Sequence, residues 1–334
     1  MLRWTRRTIL RWIHIVLAEL GGWAGVLRGW FRSPWQIVRS WPEGEVALGP
    51  RVALFVHFDR NGVVRRHVLD YLVALRDAGL SVVFVTNSGF LRDDSMTALR
   101  AIGACVLVRR NIGYDFGAMR EGLERMGLPR PDTELLVIAN DSVYGPLRPL
   151  EQVLARVDFS GADMWGATES WQRRYHLQSF FLAVGRPAMT SKAWHDFWKS
   201  VRPVRSKYWV VSRYEVGLTQ QLLRAGLRCA ALWPYQDLVR RIDASLLTNE
   251  TTAPADPFVN VRRIHTGRVR HAAVERMPLN PTAELWRQLL EAGFPFIKRE
   301  LLRDNPADVL DIADWRDVVQ AHMDNSIDAI ERDL

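Results

Sequence analysis

Cysteine is almost absent: Cys105 and Cys229 are the only two among 334 residues. Two thiols build neither a disulfide framework nor a zinc cluster. Both lie in apolar stretches and read as small core residues of a reducing compartment. The chain has no Cys/His finger and no aromatic RNA-binding signature, so its formal net charge of +8 is not assigned to nucleic acid. No Gly-Lys-Ser/Thr occurs, which excludes the phosphate loop of an ATPase. The glycines around Gly113 and Gly117 have the wrong spacing for a dinucleotide fingerprint. There is no internal repeat and no low-complexity tract. A long apolar run is missing too. The N-terminal apolar stretch is broken by Arg11, His14 and Glu19, whereas a spanning helix needs roughly 20 mostly apolar residues. The same interruptions, and the want of a small-residue cleavage site, argue against a signal peptide.

What is present is ordinary in bulk, with 48% hydrophobic and 25% charged residues. That balance suits a folded chain whose core is large enough to need no staples. Arginine supplies most of the positive charge, and a basic surface suits anionic lipid or a phosphorylated small molecule. The fourteen tryptophans are unusual, and several crowd the start. There MLRWTRRTILRWIHIVLAELGGWAGVLRGWFRSPW interleaves Arg3, Arg6, Arg7, Arg11, Arg28 and Arg32 with Trp4, Trp12, Trp23, Trp30 and Trp35. Arginine that meets lipid phosphate and tryptophan at headgroup depth predict an amphipathic helix in the membrane interface, with a linker to residue 45. The alternative is a helix packed on the protein's own body.

From Pro50 apolar runs alternate with amphipathic stretches. RVALFVHFD, SVVFVTNSG, ACVLVRRN and ELLVIANDS predict strands, and VRRHVLDYLVALRDAG, DDSMTALRAIG and GYDFGAMREGLERMG predict helices between them. This alternation predicts an α/β fold with a mostly parallel sheet and right-handed crossovers. Beyond Pro149 come the helix LEQVLARV, the strand-like YHLQSFFLAVGR, helices around AWHDFWKSV and SRYEVGLTQQLLRAG, and a last strand LRCAALWPY. Residues 240–282 read as a long wrapping loop and the rest as mostly helical. The expected organisation is an N-terminal segment 1–45, an α/β domain 50–245, and a wrapping loop with a helical extension over 246–334.

Ligands of parallel sheets bind at the carboxyl ends of the strands. His57, Asp59, Asn87, Arg109, Arg110, Asn111 and Asp141 fall at such ends. Gly113 and Gly117-Ala118 let backbone approach a ligand where a helix begins, a place that favours phosphate. The stretch LLVIANDSVYGPL is the most informative. An apolar strand runs straight into Asn140-Asp141-Ser142, either a polar turn closed by Gly145-Pro146 or a site.

An Asn-x-Gly, a small-residue helix and an apolar strand ending in a carboxylate resemble, in that order, the GT-A glycosyltransferases. More closely, RRNIGYDFGAMREGL, NDSVYGPL, HLQSFF and GFPFIKRELLRDNP resemble the rhamnan synthesis protein F family of bacterial polysaccharide and lipopolysaccharide glycosyltransferases. The resemblance covers roughly residues 50–310. It implies a GT-A-like sheet flanked by helices. It puts Asn140-Asp141-Ser142 at the family's Asp-x-Asp position, where Asp141, with Ser142 or water, would hold Mg²⁺ or Mn²⁺ on a nucleotide-sugar donor. One carboxylate stands where two are usual, so arginines are the alternative, and Arg109 and Arg110 lie at a suitable strand end.

By the same resemblance Glu215, opening a late helix, is the general base, with Asp163 and Glu169 in reserve; the alternative is a helix-cap carboxylate favoured by the dipole. Asp115 is expected to contact the donor sugar or ribose, or else to serve as an acid at a helix N-terminus. His176, Gln178 and Ser179 are expected to shape the sugar pocket, with His176 as a satisfied core histidine the alternative. His265 is a late metal ligand or a core histidine, and Lys298-Arg299 grips phosphate or forms a solvated helix face. The implied activity is inverting transfer of a sugar, L-rhamnose from dTDP-rhamnose, to a lipid-linked saccharide. The implied place is the cytoplasmic face of the bacterial inner membrane, held peripherally through residues 1–35. The competing reading is a non-catalytic saccharide-binding or scaffold module, which the single carboxylate favours.

Overall fold

The computed structural model describes residues 13, 15–17, 19–25, 36–247, 258–322 and 327–334, with backbone alone for 243–247. Its centre is one mixed sheet. Strand β2 (Arg51–His57) lies between β3 (Ser81–Thr86) and β5 (Leu135–Asn140), and β4 (Cys105–Arg109) lies outside β3. These four are mutually parallel. All of β4 and β5 and nearly all of β2 are buried, as expected of strands covered on both faces. The predicted mostly parallel sheet flanked by helices is therefore what the chain adopts.

Five further strands complete that sheet. β1 (Ile37–Trp41) pairs antiparallel with β4 at one edge. On the other side β9 (Phe181–Gly185) runs antiparallel between β5 and β7 (Met164–Ser170), and β10 (Cys229–Trp233) closes parallel to β7. The stretch expected as one strand over YHLQSFFLAVGR is two. β8 (His176–Leu177) pairs with β7, then the chain breaks at Gln178–Phe180 before β9 begins. A separate small ribbon joins β6 (Val143–Tyr144) to β11 (Ile297–Lys298).

Alternate residues of β2 feed opposite cores, as strand geometry dictates. Ala53 and Phe55 pack with Val68, Leu72 and Leu75 of helix Arg66–Asp77 on one face. Val52, Leu54 and Val56 pack with Phe116, Met119 and Leu123 of helix Tyr114–Met126 on the other. Burial of each of the larger of these side chains contributes about 1.5–3 kcal/mol.

Among the described residues of 240–282, helix replaces most of the expected wrapping loop. Helix Tyr235–Leu247 enters the stretch and helix Val259–Val274 fills most of its second half. The latter buries only His265, Val269 and Ala272, so a histidine and an alanine stand where an apolar stripe would have advertised a helix. Helix Tyr235–Leu247 also crosses the expected boundary at 245. Beyond it, Leu285, Leu289, Phe294 and Phe296 enter the same core as Phe55.

Most of the N-terminal segment lies outside the described residues. Those described between 13 and 25 are helical. Glu19 meets Arg213 at 3.4 Å, and Trp23 stands edge-on to Trp209 with ring centroids 5.4 Å apart. Gly22 backs so closely onto Trp209 that a Cβ would lie 2.1 Å from its ring. One face thus packs on the protein's own body. Ile13, Val16, Leu17 and Leu20 point the other way, 49–61% exposed. No helix of the described residues is long and apolar enough to cross a membrane.

Candidate active site

The polar end of β5 folds back on itself. The Asn140 side-chain oxygen accepts from the Ser142 backbone N–H (3.1 Å) and from its hydroxyl (2.6 Å), an Asx-type turn. The Asn140 amide in turn donates to Asp115 Oδ2 at 3.2 Å. Asp115 sits in the first turn of helix Tyr114–Met126, behind Gly113 at φ 92° and Tyr114 at φ 51°. A tyrosine in the left-handed region is strained, and such strain gathers at functional sites. Burial, then the charges of Asp141 and Glu215, push the Asp115 carboxyl up to about 6, against Lys298 and Lys207.

Glu215 approaches from across a pocket of about 420 Å³. It ends a π-helical turn, Val210–Glu215, that runs into helix Val216–Arg224, the kind of irregularity that often aims a functional side chain. Its Oε1 accepts from both the backbone N–H (3.0 Å) and the hydroxyl (2.8 Å) of Ser179. Ser179 is free to do this because it lies in the break between β8 and β9. Beside it, Gln178 accepts from Thr168 at 2.6 Å and donates to Asn280 at 3.2 Å. His176 is buried, its Nδ1 against the Arg174 carbonyl at 2.8 Å. The pocket therefore gathers Asp115, Asn140, Ser142, His176, Gln178, Ser179 and Glu215.

Other expected site residues are used elsewhere. Arg109 is fully buried, where it binds Glu121 at 3.1 Å, the Ile112 carbonyl at 2.7 Å and the Asn87 side chain. It is a strut between β4 and helix Tyr114–Met126, not a grip for diphosphate, and Asn87 is engaged with it. His57 lies beneath the strand end with Nδ1 on Thr86 at 3.0 Å, and burial lowers its pKa to about 4. Asp59 caps its own turn through the Asn61 (2.7 Å) and Val63 (3.2 Å) amides. Gly113 makes room for Pro203, whose Cα a Cβ would meet at 3.0 Å. Arg110 and Asn111 are exposed and outside the pocket.

The reserve bases are engaged as well. Asp163 pairs with Arg228 at 2.9 Å, and Glu169 accepts the Tyr235 amide at 2.9 Å. His265 is packed against the Glu284 carbonyl at 3.0 Å and Asp311 at 3.5 Å, in the helical layer that follows the sheet.

Comparison with known proteins identifies the family of the chain. The family model for rhamnan synthesis protein F matches residues 82–275. The chain belongs to that family. Virulence protein VirA of Vibrio anguillarum is 31% identical over 231 residues, spanning 67% of this chain and 70% of VirA. The uncharacterized protein y4gN of Sinorhizobium fredii is 26% identical over 202 residues, 59% of this chain and 52% of y4gN. Among solved structures, a mannosyltransferase from Pyrobaculum calidifontis in complex with GDP-Man and Mn²⁺ covers 92% of this chain and 95% of its own, at 13% identity and a TM-score of 0.36. That score is too low to fix a fold.

In this rhamnan synthesis protein F chain the residue that sequence reasoning undervalued is Lys298. It is not on a solvated face. β11 pairs Lys298 with Val143, and the Arg299 amide donates to the Ser142 carbonyl at 3.0 Å. The Lys298 ammonium thereby reaches Ser142 Oγ at 3.1 Å and lies over the Phe180 ring at 4.6 Å. Asp141 turns away from the pocket. Its Oδ2 takes the Phe58 amide at 3.2 Å and faces Arg299 at 3.5 Å, and burial pushes its pKa up to about 6 in spite of that arginine. Asn140 Oδ1, Asp141 Oδ2 and Ser142 Oγ are thus engaged, the last two by cations. As these side chains stand, they do not fit a divalent ion, and no group of three acids, histidines or cysteines suited to one occurs among the described residues.

Proposed function

We propose that this chain is an inverting, nucleotide-sugar-dependent glycosyltransferase of GT-A type. The observation that carries the reading is Glu215, fixed by both hydrogens of Ser179 and facing Asp115, Asn140 and Lys298 across one pocket. Glu215 takes the proton of an acceptor hydroxyl as that oxygen attacks C1 of the sugar. The bond from C1 to the diphosphate oxygen breaks, and its electron pair leaves with the nucleoside diphosphate. With Ser179 held on Oε1, Oε2 is the oxygen left to receive the proton. Asp115, with Asn140, orients the sugar. His176 and Gln178 shape the same pocket. Mg²⁺ or Mn²⁺ is the ion usual beside such a donor, but no step here runs through one.

Family membership supports a role in building a cell-surface polysaccharide. The donor that reading favours is dTDP-L-rhamnose and the acceptor a lipid-linked saccharide. The enzyme would work peripherally at the inner face of the cytoplasmic membrane, with the exposed apolar face of the N-terminal helix toward lipid. Residues 50–245 supply the catalytic core and 246–334 complete it with Lys298.

Glu215→Gln tests the assignment. The amide can still accept from Ser179 but cannot take a proton. Turnover should fall by about a hundredfold or more, with nucleotide affinity and melting temperature nearly unchanged. Normal turnover with a lowered melting temperature would assign Glu215 to structure. Failure of the wild-type protein to turn over any nucleotide sugar would favour the saccharide-binding module instead.

A further inference from the structure

We propose that the Lys298 ammonium does the work of a divalent ion in this chain, holding the donor diphosphate and stabilising it as it leaves. This rests on the nucleotide-sugar reading. A +2 ion on Ser142 Oγ would compete with an ammonium 3.1 Å from the same oxygen, and the two cations would repel. That ammonium is not there by chance of a flexible side chain. β11 is hydrogen-bonded to β6, which directly follows the tripeptide, and the Arg299 amide is bonded to the Ser142 carbonyl. The backbone thus fixes Lys298 against the polar end of β5.

Lys298 also lies on the boundary between two spaces. On one side is the pocket with Glu215 and Asp115. On the other is a cleft of about 390 Å³ lined with Ser142, Lys207, Arg299 and Arg303, against Glu300 and Asp304. Arg299 is committed to Asp141 and to Asp333, at 2.9 Å from the latter. Lys207, Lys298 and Arg303 remain for a ligand. The charged groups facing the Lys298 ammonium are Glu215, Glu300, Asp115 and Lys207. A diphosphate in the basic cleft would put the sugar it carries into the pocket with Glu215, with Lys298 at the bond between them. As C1–O breaks, the diphosphate gains one negative charge, and the ammonium meets it there without any reorganisation.

The experiment is calorimetric titration of the full chain with dTDP, UDP and GDP, in excess EDTA and again in Mg²⁺ or Mn²⁺, beside Lys298→Met and Lys298→Arg. The diphosphate that binds should do so as tightly in EDTA as with metal. Lys298→Met should weaken it about tenfold to a hundredfold, the worth of a hydrogen bond to a charged group, with no rescue by Mn²⁺. Lys298→Arg, which keeps the cation, should recover much of the loss and shows that the site still folds. Binding that vanishes in EDTA, or a Lys298→Met protein that binds like wild type, overturns the proposal while leaving the glycosyltransferase reading intact. Absence of any nucleotide binding, with or without metal, overturns both.

Discussion

Replacing Asp115 with asparagine should stabilise the protein while it damages the site. Asp115 has a pKa raised from 3.8 to about 6, chiefly by burial and then by the charges of Asp141 and Glu215. A group whose folded pKa lies above its unfolded value binds protons more readily when folded. Well below pH 3.8 the carboxyl is neutral in both states and costs nothing. As pH rises through 6 the folded protein must carry the charge in a poor environment, and stability is lost. At about 1.4 kcal/mol per unit the shift corresponds to at most about 3 kcal/mol, and water reaching this partly buried group brings the figure nearer 1–2 kcal/mol. Asparagine removes the charge and can keep a hydrogen bond with Asn140. Asp115→Asn should therefore raise the melting temperature by roughly a few degrees at pH 8, by somewhat less at pH 6, and by little near pH 4. Thermal unfolding of both proteins across that range is the assay, with donor turnover measured alongside. A difference independent of pH, or a variant less stable at pH 8, would refute the reasoning. A carboxylate that destabilises its own fold and is needed for turnover is there for its ligand.

Arg109→Met should unfold the protein at markedly lower denaturant, since it strands buried Glu121, at a cost of about 3–5 kcal/mol. The nucleotide affinity of the protein that remains folded should not change, which separates a strut from a diphosphate grip. Asp163→Asn should lower the melting temperature through loss of the Arg228 pair and leave turnover intact; a collapse of turnover would reopen the choice of base. Deleting residues 1–34 should move the protein from the membrane pellet to the supernatant and spare activity on a short soluble acceptor. Sedimentation of the truncated protein with membranes would remove the N-terminal helix as the anchor.

The elements easiest to read in the sequence were those whose identity is local. β2, β3, β4 and β5 are continuous apolar runs because they are covered on both faces, and helix Arg66–Asp77 carries Val68, Leu72 and Leu75 on one stripe. Helix Val259–Val274 escaped notice because its buried face is His265, Val269 and Ala272 and its outer face is rich in arginine. The antiparallel insertion of β9 between β5 and β7 was equally hidden, since strand order depends on pairing between distant segments and not on the pattern within any one of them.

The basic residues near the site show the same limit in sharper form. Arg109 and Lys298 each follow or end an apolar stretch, and a strand-end arginine next to Asn-x-Gly looks the better partner for phosphate. Three-dimensional partners reverse that judgement. Glu121 lies on the helix that follows β4 and draws the Arg109 guanidinium inward, where it is neutralised before any ligand arrives. Lys298 is placed by a two-residue ribbon with β6, too short to have a periodicity. Its ammonium touches a hydroxyl and an aromatic ring and has no ion pair within 4 Å among the described residues. A half-buried cation held by a neutral oxygen and a π-face has given up part of its hydration without the Coulombic return of a counter-charge within ion-pair distance. An incoming diphosphate supplies that charge, so the arrangement gains most when the donor is bound.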